Sequence, residues 1–291
     1  MTPYVADPVY LNGQFKPLAE AGVSPLDRGF LYGDGVYEVI PVYSRQAFRI
    51  DEHLKRLQAT LDGIQLANPL AVDDWKAVIF KLIDAAPWAD QSIYLQVTRG
   101  ADNKRDHAFP PASVPPTVFA FAGPLVTPSA DFRAQGVAAI TVADQRWARC
   151  DLKVLSLLAN VLARQQAVAQ NCAEALLIRD GLMKEGAASN IFVVKDGLLL
   201  APPKTHLMLP GITYDVILEL ARAHGQALAV REITETELRA ADEVWMTSST
   251  KEILAITTLD GQPVGNGRPG PYGEQMWQWY QDFKNTVMRQ G

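Results

Sequence analysis

Apolar residues along this chain recur with two periods, near two and near 3.6, and the changes of period mark out strands and helices. Residues Val9–Phe15 predict a hairpin, with Asn12-Gly13 suited to the positive φ of a tight turn. Ser24–Gly35 is a glycine-rich loop that leads into Val36–Tyr43, a strand by its β-branched and aromatic content. Pro41 has no N–H for a ladder and points to an edge or a bulge. Asp51 is placed to cap a helix on which Leu54, Leu57, Leu61 and Ile64 recur at helical spacing. A second helix runs from about Asp73 to Ala85, with Trp75, Val78, Ile79 and Leu82 on one face. Ser92–Thr98 and Thr117–Ala122 read as strands. The polar stretch Arg99–Pro110 between them has the length and irregularity of a functional loop.

Gly123–Ser129, with prolines at 124 and 128, is the best linker candidate. Gly136–Ala143 is the next strand. After Lys153 a helix extends to about Gln170, with Leu158, Val161, Leu162 and Val168 as its expected core side. The turns Asp180-Gly181 and Asp196-Gly197 mark a meander of Glu174–Arg179, Asn190–Lys195 and Leu198–Ala201. Leu209–Thr213 opens a helix that ends near Gly225 in a left-handed cap. Thr234–Glu237 has the form of a capping box. Glu243–Thr250 is a strand ending in hydroxyls, Ile253–Thr258 is another, and the last helix carries Met276, Tyr280, Phe283 and Val287 on one stripe. The expected architecture is α+β in two parts: an N-terminal α+β domain over residues 1–122, a linker at 123–129, and a C-terminal α+β domain over 130–291 that carries Lys153.

Composition narrows the class. The chain is 291 residues long, 48% hydrophobic and 20% charged, so it can bury a core without disulfides. A net charge of -5 and the absence of a basic tract argue against a nucleic-acid partner. Residues Met1–Pro8 lack the basic start and apolar core of a signal peptide, and no apolar run reaches the length of a membrane helix. A soluble cytoplasmic protein is expected. Cys150 and Cys172 form neither a disulfide nor a metal-ligand pattern, so reduced thiols and no metal are expected.

Several residues admit a chemical reading beside an ordinary one. A lysine ahead of a helix is usually solvated. Lys153 instead has Leu152, Val154, Leu155, Leu157 and Leu158 around it, and burial of an amine favours its neutral, nucleophilic form. Glu185 is either a turn carboxylate or the partner of a cationic ring nitrogen. The small residues Gly186–Ser189 after it would let backbone N–H groups approach an anion. Gly211-Ile212-Thr213 is either a plain helix start or a phosphate site aided by the helix dipole. Ser248, Ser249 and Thr250 are strand-end hydroxyls or part of an anion cradle. Arg56 is a solvated helix residue or a phosphate partner, and His53 beside it reads as structural. Arg105 and His107 form a surface pair or a carboxylate-recognition pair, and Tyr37 is by default a core aromatic.

Six segments in order carry a resemblance: Asp27–Val39, Asp51–Leu57, Lys104–Pro110, Arg146–Lys153, Glu185–Asn190 and Leu209–Thr213. The chain resembles the class IV aminotransferases, the fold type IV pyridoxal phosphate enzymes, and within them the D-amino acid aminotransferase subgroup. The resemblance spans nearly the whole chain and implies an α+β two-domain fold with the cofactor at the domain interface. It implies that Lys153 carries pyridoxal 5'-phosphate as a Schiff base and acts as the catalytic base, and that Glu185 pairs with the pyridine nitrogen. Arg56, Ser189, Asn190, Gly211, Ile212, Thr213 and the run Ser248, Ser249, Thr250 match cofactor-binding positions, chiefly around the phosphate. Leu209 matches a side chain that packs on the ring, and Arg146 and Glu174 match a network behind Glu185. Tyr37, Arg105 and His107 match the trap for the substrate carboxylate, with the Arg105/His107 loop contributed across the interface of a homodimer. Ala187 and Ala188 stand where the subgroup often has serines.

The activity so implied is a ping-pong transamination between a D-amino acid, such as D-alanine, and a 2-oxo acid, with 2-oxoglutarate giving D-glutamate. Same-fold alternatives are a branched-chain L-amino acid or (R)-amine transaminase and aminodeoxychorismate lyase. A non-catalytic binding protein on the same fold is a rival of another class, against which the joint presence of Lys153, Glu185 and Arg56 weighs.

Overall fold

The computed structural model describes residues 4–290. The outermost positions of the expected domains, 1–3 and 291, lie outside the described residues, as does the beginning of the Met1–Pro8 segment. The chain divides into two compact units. One holds the chain up to Leu125, together with Leu152–Leu157 and the end of the chain from Thr286. The other holds Val126–Asp151 and Leu158–Asn285. Residues 152–157 thus cluster with the first unit, whereas Lys153 was expected in the C-terminal domain. The physical reason is backbone pairing, described below.

The first unit contains β1 (Val9–Leu11), β2 (Gln14–Lys16), α1 (Arg28–Tyr32), β3 (Gly35–Tyr43), β4 (Gln46–Ala47), α2 (Ile50–Gly63), α3 (Val72–Ala85), β5 (Gln91–Thr98) and β6 (Thr117–Pro124). The strands form one antiparallel sheet in the order β2-β1-β6-β5-β3-β4. Asn12 and Gly13, at φ 48° and 89°, close the β1–β2 hairpin as its sequence predicts. Leu54, Leu57 and Leu61 of α2 and Trp75, Ile79 and Leu82 of α3 pack with Ile40, Ile93, Leu95 and Ala120 in a single core. Asp51 is not the cap of α2. Arg49, in the left-handed region at φ 51°, takes that place, and Asp51 and Glu52 lie in the first turn, where the dipole favours acids. The Ser24–Gly35 loop folds in part as α1, capped by Asp27, whose side chain accepts from the Gly29 N–H at 2.8 Å. Pro41 sits in an unbroken β3–β5 register, just before the two residues of β3 that β4 covers, so it marks an edge and not a bulge.

The second unit contains α4 (Ala130–Gln135), β7 (Val137–Ala143), α5 (Leu158–Ala169), β8 (Glu174–Arg179), β9 (Leu182–Gly186), β10 (Asn190–Lys195), β11 (Leu198–Ala201), α6 (Ile212–Ala223), β12 (Leu228–Val230), β13 (Ile233–Thr234), α7 (Glu235–Arg239), β14 (Glu243–Ser248), β15 (Glu252–Leu259), β16 (Gln262–Pro263) and α8 (Pro271–Phe283). Its sheet runs β12-β11-β10-β14-β15-β7-β8-β9-β13, with β16 paired to β15. The ladders β11–β12, β15–β7 and β7–β8 are parallel and the others antiparallel. Asp180-Gly181 and Asp196-Gly197 both have positive φ at both residues, the form that joins twisted strands tightly. Thr234 and Glu237 make the reciprocal capping box, and Gly225, at φ 70°, follows the end of α6.

Two helices depart from their expected facing. In α5 the large apolar side chains face outward: Leu158 is 70% exposed, and Val161, Leu162 and Val168 are exposed with it. The helix instead buries Ala163 and Ala167 against Ile140, Ala175 and Leu177, because small side chains let it lie close to the sheet. After α8, a π-helical turn at Lys284–Met288 adds a residue to the repeat, so Met288 is buried and Val287 is exposed. Among the described residues no helix is long and apolar enough to cross a membrane.

Candidate functional site

In the first unit, Lys153 lies along the open edge of β3. The Tyr37 N–H donates to the Lys153 carbonyl at 3.0 Å, the Leu155 N–H donates to the Gly35 carbonyl at 3.0 Å, and Val36 and Val154 form an antiparallel bridge. The Ser156 hydroxyl adds a bond to the Gly33 carbonyl at 3.1 Å. This pairing holds the backbone and leaves the half-buried Lys153 side chain beside Tyr37, with Nζ 4.2 Å from the ring centroid. Tyr37 stacks on Tyr94 at 5.8 Å, and Tyr94 on Phe121 at 5.2 Å, so the tyrosine belongs to a half-buried aromatic face of the sheet.

Glu38, the next residue of β3, points to the opposite face and is wholly buried under α2. Arg56 donates to both of its oxygens at 2.7 Å, and His53 Nδ1 lies 2.9 Å from Oε2. Burial alone would raise the Glu38 carboxyl, but the Arg56 guanidinium and the His53 bond outweigh it and hold the group well below the usual carboxylate range. Burial lowers the His53 pKa, and the pull of Glu38 does not offset that, so the ring stays neutral near neutral pH and donates from Nδ1. Its Nε2 is buried and has no hydrogen-bond partner among the described residues. The sequence singled out Arg56 but not Glu38, which carries no local signal inside a strand.

Arg105 and His107 are exposed and meet at Tyr32: the Arg105 guanidinium is 5.2 Å from that ring's centroid and the His107 ring 5.4 Å. Tyr37 keeps a different set of neighbours, so the three expected carboxylate residues are not drawn into one cluster by these contacts.

In the second unit, Glu185 is buried on β9, a strand the sequence pattern did not reveal. It accepts from Arg146 Nη1, from the Leu209 N–H at 3.2 Å and from Asn190 Nδ2 at 3.3 Å. Asp144 holds Arg146 from behind, at 2.9 Å from Nε and 3.0 Å from Nη2, and Leu207 accepts from Nη2 at 3.2 Å. Burial pushes the Glu185 carboxyl up to about 7, against the opposing pull of Arg146 and the Leu209 N–H. Asn190 also donates to the Leu209 carbonyl at 3.0 Å, and its Oδ1 fills the space where a Cβ on Gly211 would stand, 2.0 Å away. Only glycine fits at 211 with Asn190 so placed.

Glu174 packs against Gly186, the residue after Glu185, since a Cβ there would lie 3.0 Å from its carboxyl carbon. It accepts from the Ser189 hydroxyl at 2.7 Å, from Lys251 Nζ at 2.8 Å and from the Ala175 N–H at 3.0 Å. The first small residues after Glu185 do not offer N–H groups to an anion: Gly186 donates to the Ser189 carbonyl at 2.7 Å, closing the turn, and Ala187 donates to the Ala175 carbonyl of β8 at 2.8 Å. Ile212 and Thr213 open α6 behind the extended N-cap Gly211, which makes no side-chain cap bond. Ser248 accepts from the Lys251 N–H at 3.1 Å, and Ser249 and Thr250 are half-buried in the turn that follows β14. Asp144 and Lys251 were missed in the sequence: Lys251 acts on Glu174, 77 positions away, and Asp144 matters only through Arg146, whose other partner is Glu185.

The model of the amino-transferase class IV family matches residues 35–259. The chain is 40% identical over 264 residues to the D-alanine aminotransferase of Bacillus licheniformis, covering 90% of this chain and 92% of the relative. It is 37% identical over 275 residues to the D-alanine aminotransferase of Staphylococcus aureus strain MW2, covering 94% and 97%. Its structure is similar to that of the branched-chain amino acid aminotransferase of Escherichia coli, with a TM-score of 0.89 at 27% identity, covering 95% of this chain and 94% of that one.

Proposed function

The chain belongs to the class IV aminotransferases, a family dependent on pyridoxal phosphate, and we propose that it moves the amino group of a D-amino acid such as D-alanine to 2-oxoglutarate, yielding a 2-oxo acid and D-glutamate in ping-pong fashion. The observation that carries the substrate reading is the Arg105–His107 pair, exposed on a loop and chemically suited to a carboxylate. The names of the relatives support it.

The residues suit the cofactor. A phosphate needs cationic and hydrogen-bond donors: the first unit offers Arg56, and the second offers the start of α6 at Gly211, Ile212 and Thr213 and the hydroxyls of Ser248, Ser249 and Thr250. Glu38 fixes the Arg56 fork from the side, which orients it. When bound, the cofactor supplies an aldehyde for the amine and a cationic ring that draws electron density from the substrate Cα. Glu185 holds the proton on the ring nitrogen. A buried carboxyl raised to about 7 regains a stable charge once a cation stands opposite it, and Asn190 and Arg146 fix its direction. Leu209 would pack against the ring. Lys153 would hold the cofactor covalently, and its Nζ, when free, would serve as the base for the substrate Cα proton. Tyr37 limits the positions that Nζ can take, and with the Arg105/His107 loop of a partner subunit would hold the carboxylate.

We further propose a cytoplasmic homodimer in which the Arg105/His107 loop serves the partner subunit. The outward stripe of α5 supports assembly, and the free thiols of Cys150 and Cys172 suit a reducing compartment. A branched-chain L-amino acid is the second reading for the donor, favoured by the similarity to the Escherichia coli structure. Assays of D-alanine, L-leucine and an (R)-arylalkylamine against 2-oxoglutarate decide between them. Turnover of D-alanine alone is expected, and faster turnover of either other donor would overturn the assignment.

A further inference from the structure

Arg28, at the start of α1, is buried and belongs to none of the groups assigned above. Its Nη1 donates to the carbonyls of Asp106 at 2.7 Å and Ala108 at 3.1 Å, and its Nη2 reaches the carbonyl of His107 at 3.4 Å. Its Nε donates to Asp34 at 2.8 Å. Asp34 also takes Arg99 Nε at 2.9 Å, and the other nitrogens of Arg99 donate to the carbonyls of Ile64 at 2.7 Å and Gln65 at 3.0 Å beyond the end of α2. One carboxylate therefore ties the arginine that grips the loop to the arginine that grips the helix.

The loop is also pinned at its base. Asp27 forms a bridge to Ala101 and accepts from the hydroxyls of Thr98 at 2.9 Å and Thr117 at 2.6 Å. The Arg28 N–H donates to the Gly100 carbonyl at 2.8 Å. Gly100 has φ +85°, and a Cβ there would lie 2.1 Å from the Pro115 carbonyl oxygen, so the two ends of the loop meet closely. Between base and far end the side chains are exposed, and apolar burial contributes little to their order. The three carbonyls taken by Arg28 are those of residues 106 to 108, the stretch that presents Arg105 on one side and contains His107.

We infer that Arg28 is a positioning residue for the substrate carboxylate: by gripping the carbonyls of 106–108 it sets where Arg105 and His107 point, and so sets affinity for carboxylate-bearing substrates. The inference rests on reading Arg105 and His107 as the carboxylate site. A guanidinium is suited to the task because its planar fork offers donors in several directions, whereas an ammonium is one compact charge.

The test is Arg28→Lys in the holoenzyme, which keeps a cation for Asp34 but cannot span three carbonyls. KM for D-alanine is expected to rise about tenfold with kcat within about twofold, the pattern of lost uniform binding. Combined with Arg105→Ala, it should add little further loss, because both changes act on one element. Additive losses, or an unchanged KM, would overturn the inference. Amide exchange in the wild-type protein needs no variant: residues 106–109 should exchange more slowly than 102–104, and equal rates would overturn the anchoring. If another carboxylate-bearing donor proves to be the substrate, the same comparison with that donor still tests Arg28, and only the D-amino acid reading falls.

Discussion

Glu185 shows how one carboxyl can be governed by opposing neighbours. Burial raises its pKa to about 7 although Arg146 and the Leu209 N–H pull it down. An unfolded glutamate titrates near ~4.3, so between these two values the folded chain holds a proton that the unfolded chain has lost. The resulting stability is complete below the lower value and is lost as pH rises through the upper one. The cofactor-free protein is therefore expected to melt at progressively lower temperature from about pH 5 to about pH 8, and Glu185→Gln should flatten that slope. A Glu185→Gln melt with the wild-type slope would assign the dependence to other groups. Lys153 is the opposite kind of residue, held by its backbone while its amine carries the proposed chemistry. Lys153→Ala should keep the fold and the pairing with β3, yet lower turnover by at least ~10³-fold, and should lose the borohydride-fixed cofactor band. Full activity in that variant would exclude Lys153 as the base.

At the level of elements, the β14–β15 turn bears on β8 through one ion pair. Lys251 Nζ lies 2.8 Å from Glu174, whose carboxylate also accepts the Ser189 hydroxyl. The Lys251 side chain is 25% exposed and Glu174 is fully buried, so removing the lysine leaves a buried charge with solvent at one side only. Lys251→Ala is expected to cost about 2–3 kcal/mol in urea unfolding, less than for a pair buried at both ends. A loss of under about 0.5 kcal/mol would mean that water replaces the ammonium without penalty. Elements whose causes are local were legible in the sequence: the Asn12-Gly13 and Asp180-Gly181 turns and the Thr234–Glu237 box are each set by residues a few positions apart. Facing and long-range pairing were not. The period of α5 marks an apolar stripe but cannot say that Ala163 and Ala167, not Leu158 and Leu162, meet the sheet. Glu38, Asp144 and Lys251 have partners 18, 2 and 77 positions away, and even the near one, Asp144 with Arg146, depends on Glu185 across β9 for its meaning. The six motifs singled out Lys153, Glu185 and Arg56 by resemblance, while the bonds that hold each of them came only from the fold.

For the molecule as a whole, the outward face of α5 sets the question of assembly. Leu158 is 70%, Val161 57%, Leu162 53% and Val168 46% exposed on one chain, a run of large aliphatic side chains that a soluble monomer has little reason to present to water. Covering it with a second copy would remove that area from water at about 25 cal/mol per Å² before the costs of association. If the partner also receives the Arg105/His107 loop, assembly and catalysis are linked, because a lone chain would keep Lys153 and Glu185 but lack its carboxylate trap. If the proposed dimer covers this face, Leu162→Arg is expected to shift the protein from dimer to monomer in sedimentation velocity, to leave the borohydride-fixed cofactor at Lys153, and to lower kcat/KM for D-alanine by about 10²-fold or more. A monomer with undiminished turnover would separate the two roles and return the carboxylate site to a single chain. A wild-type protein that sediments as a monomer would leave the stripe of α5 without a second copy to cover it.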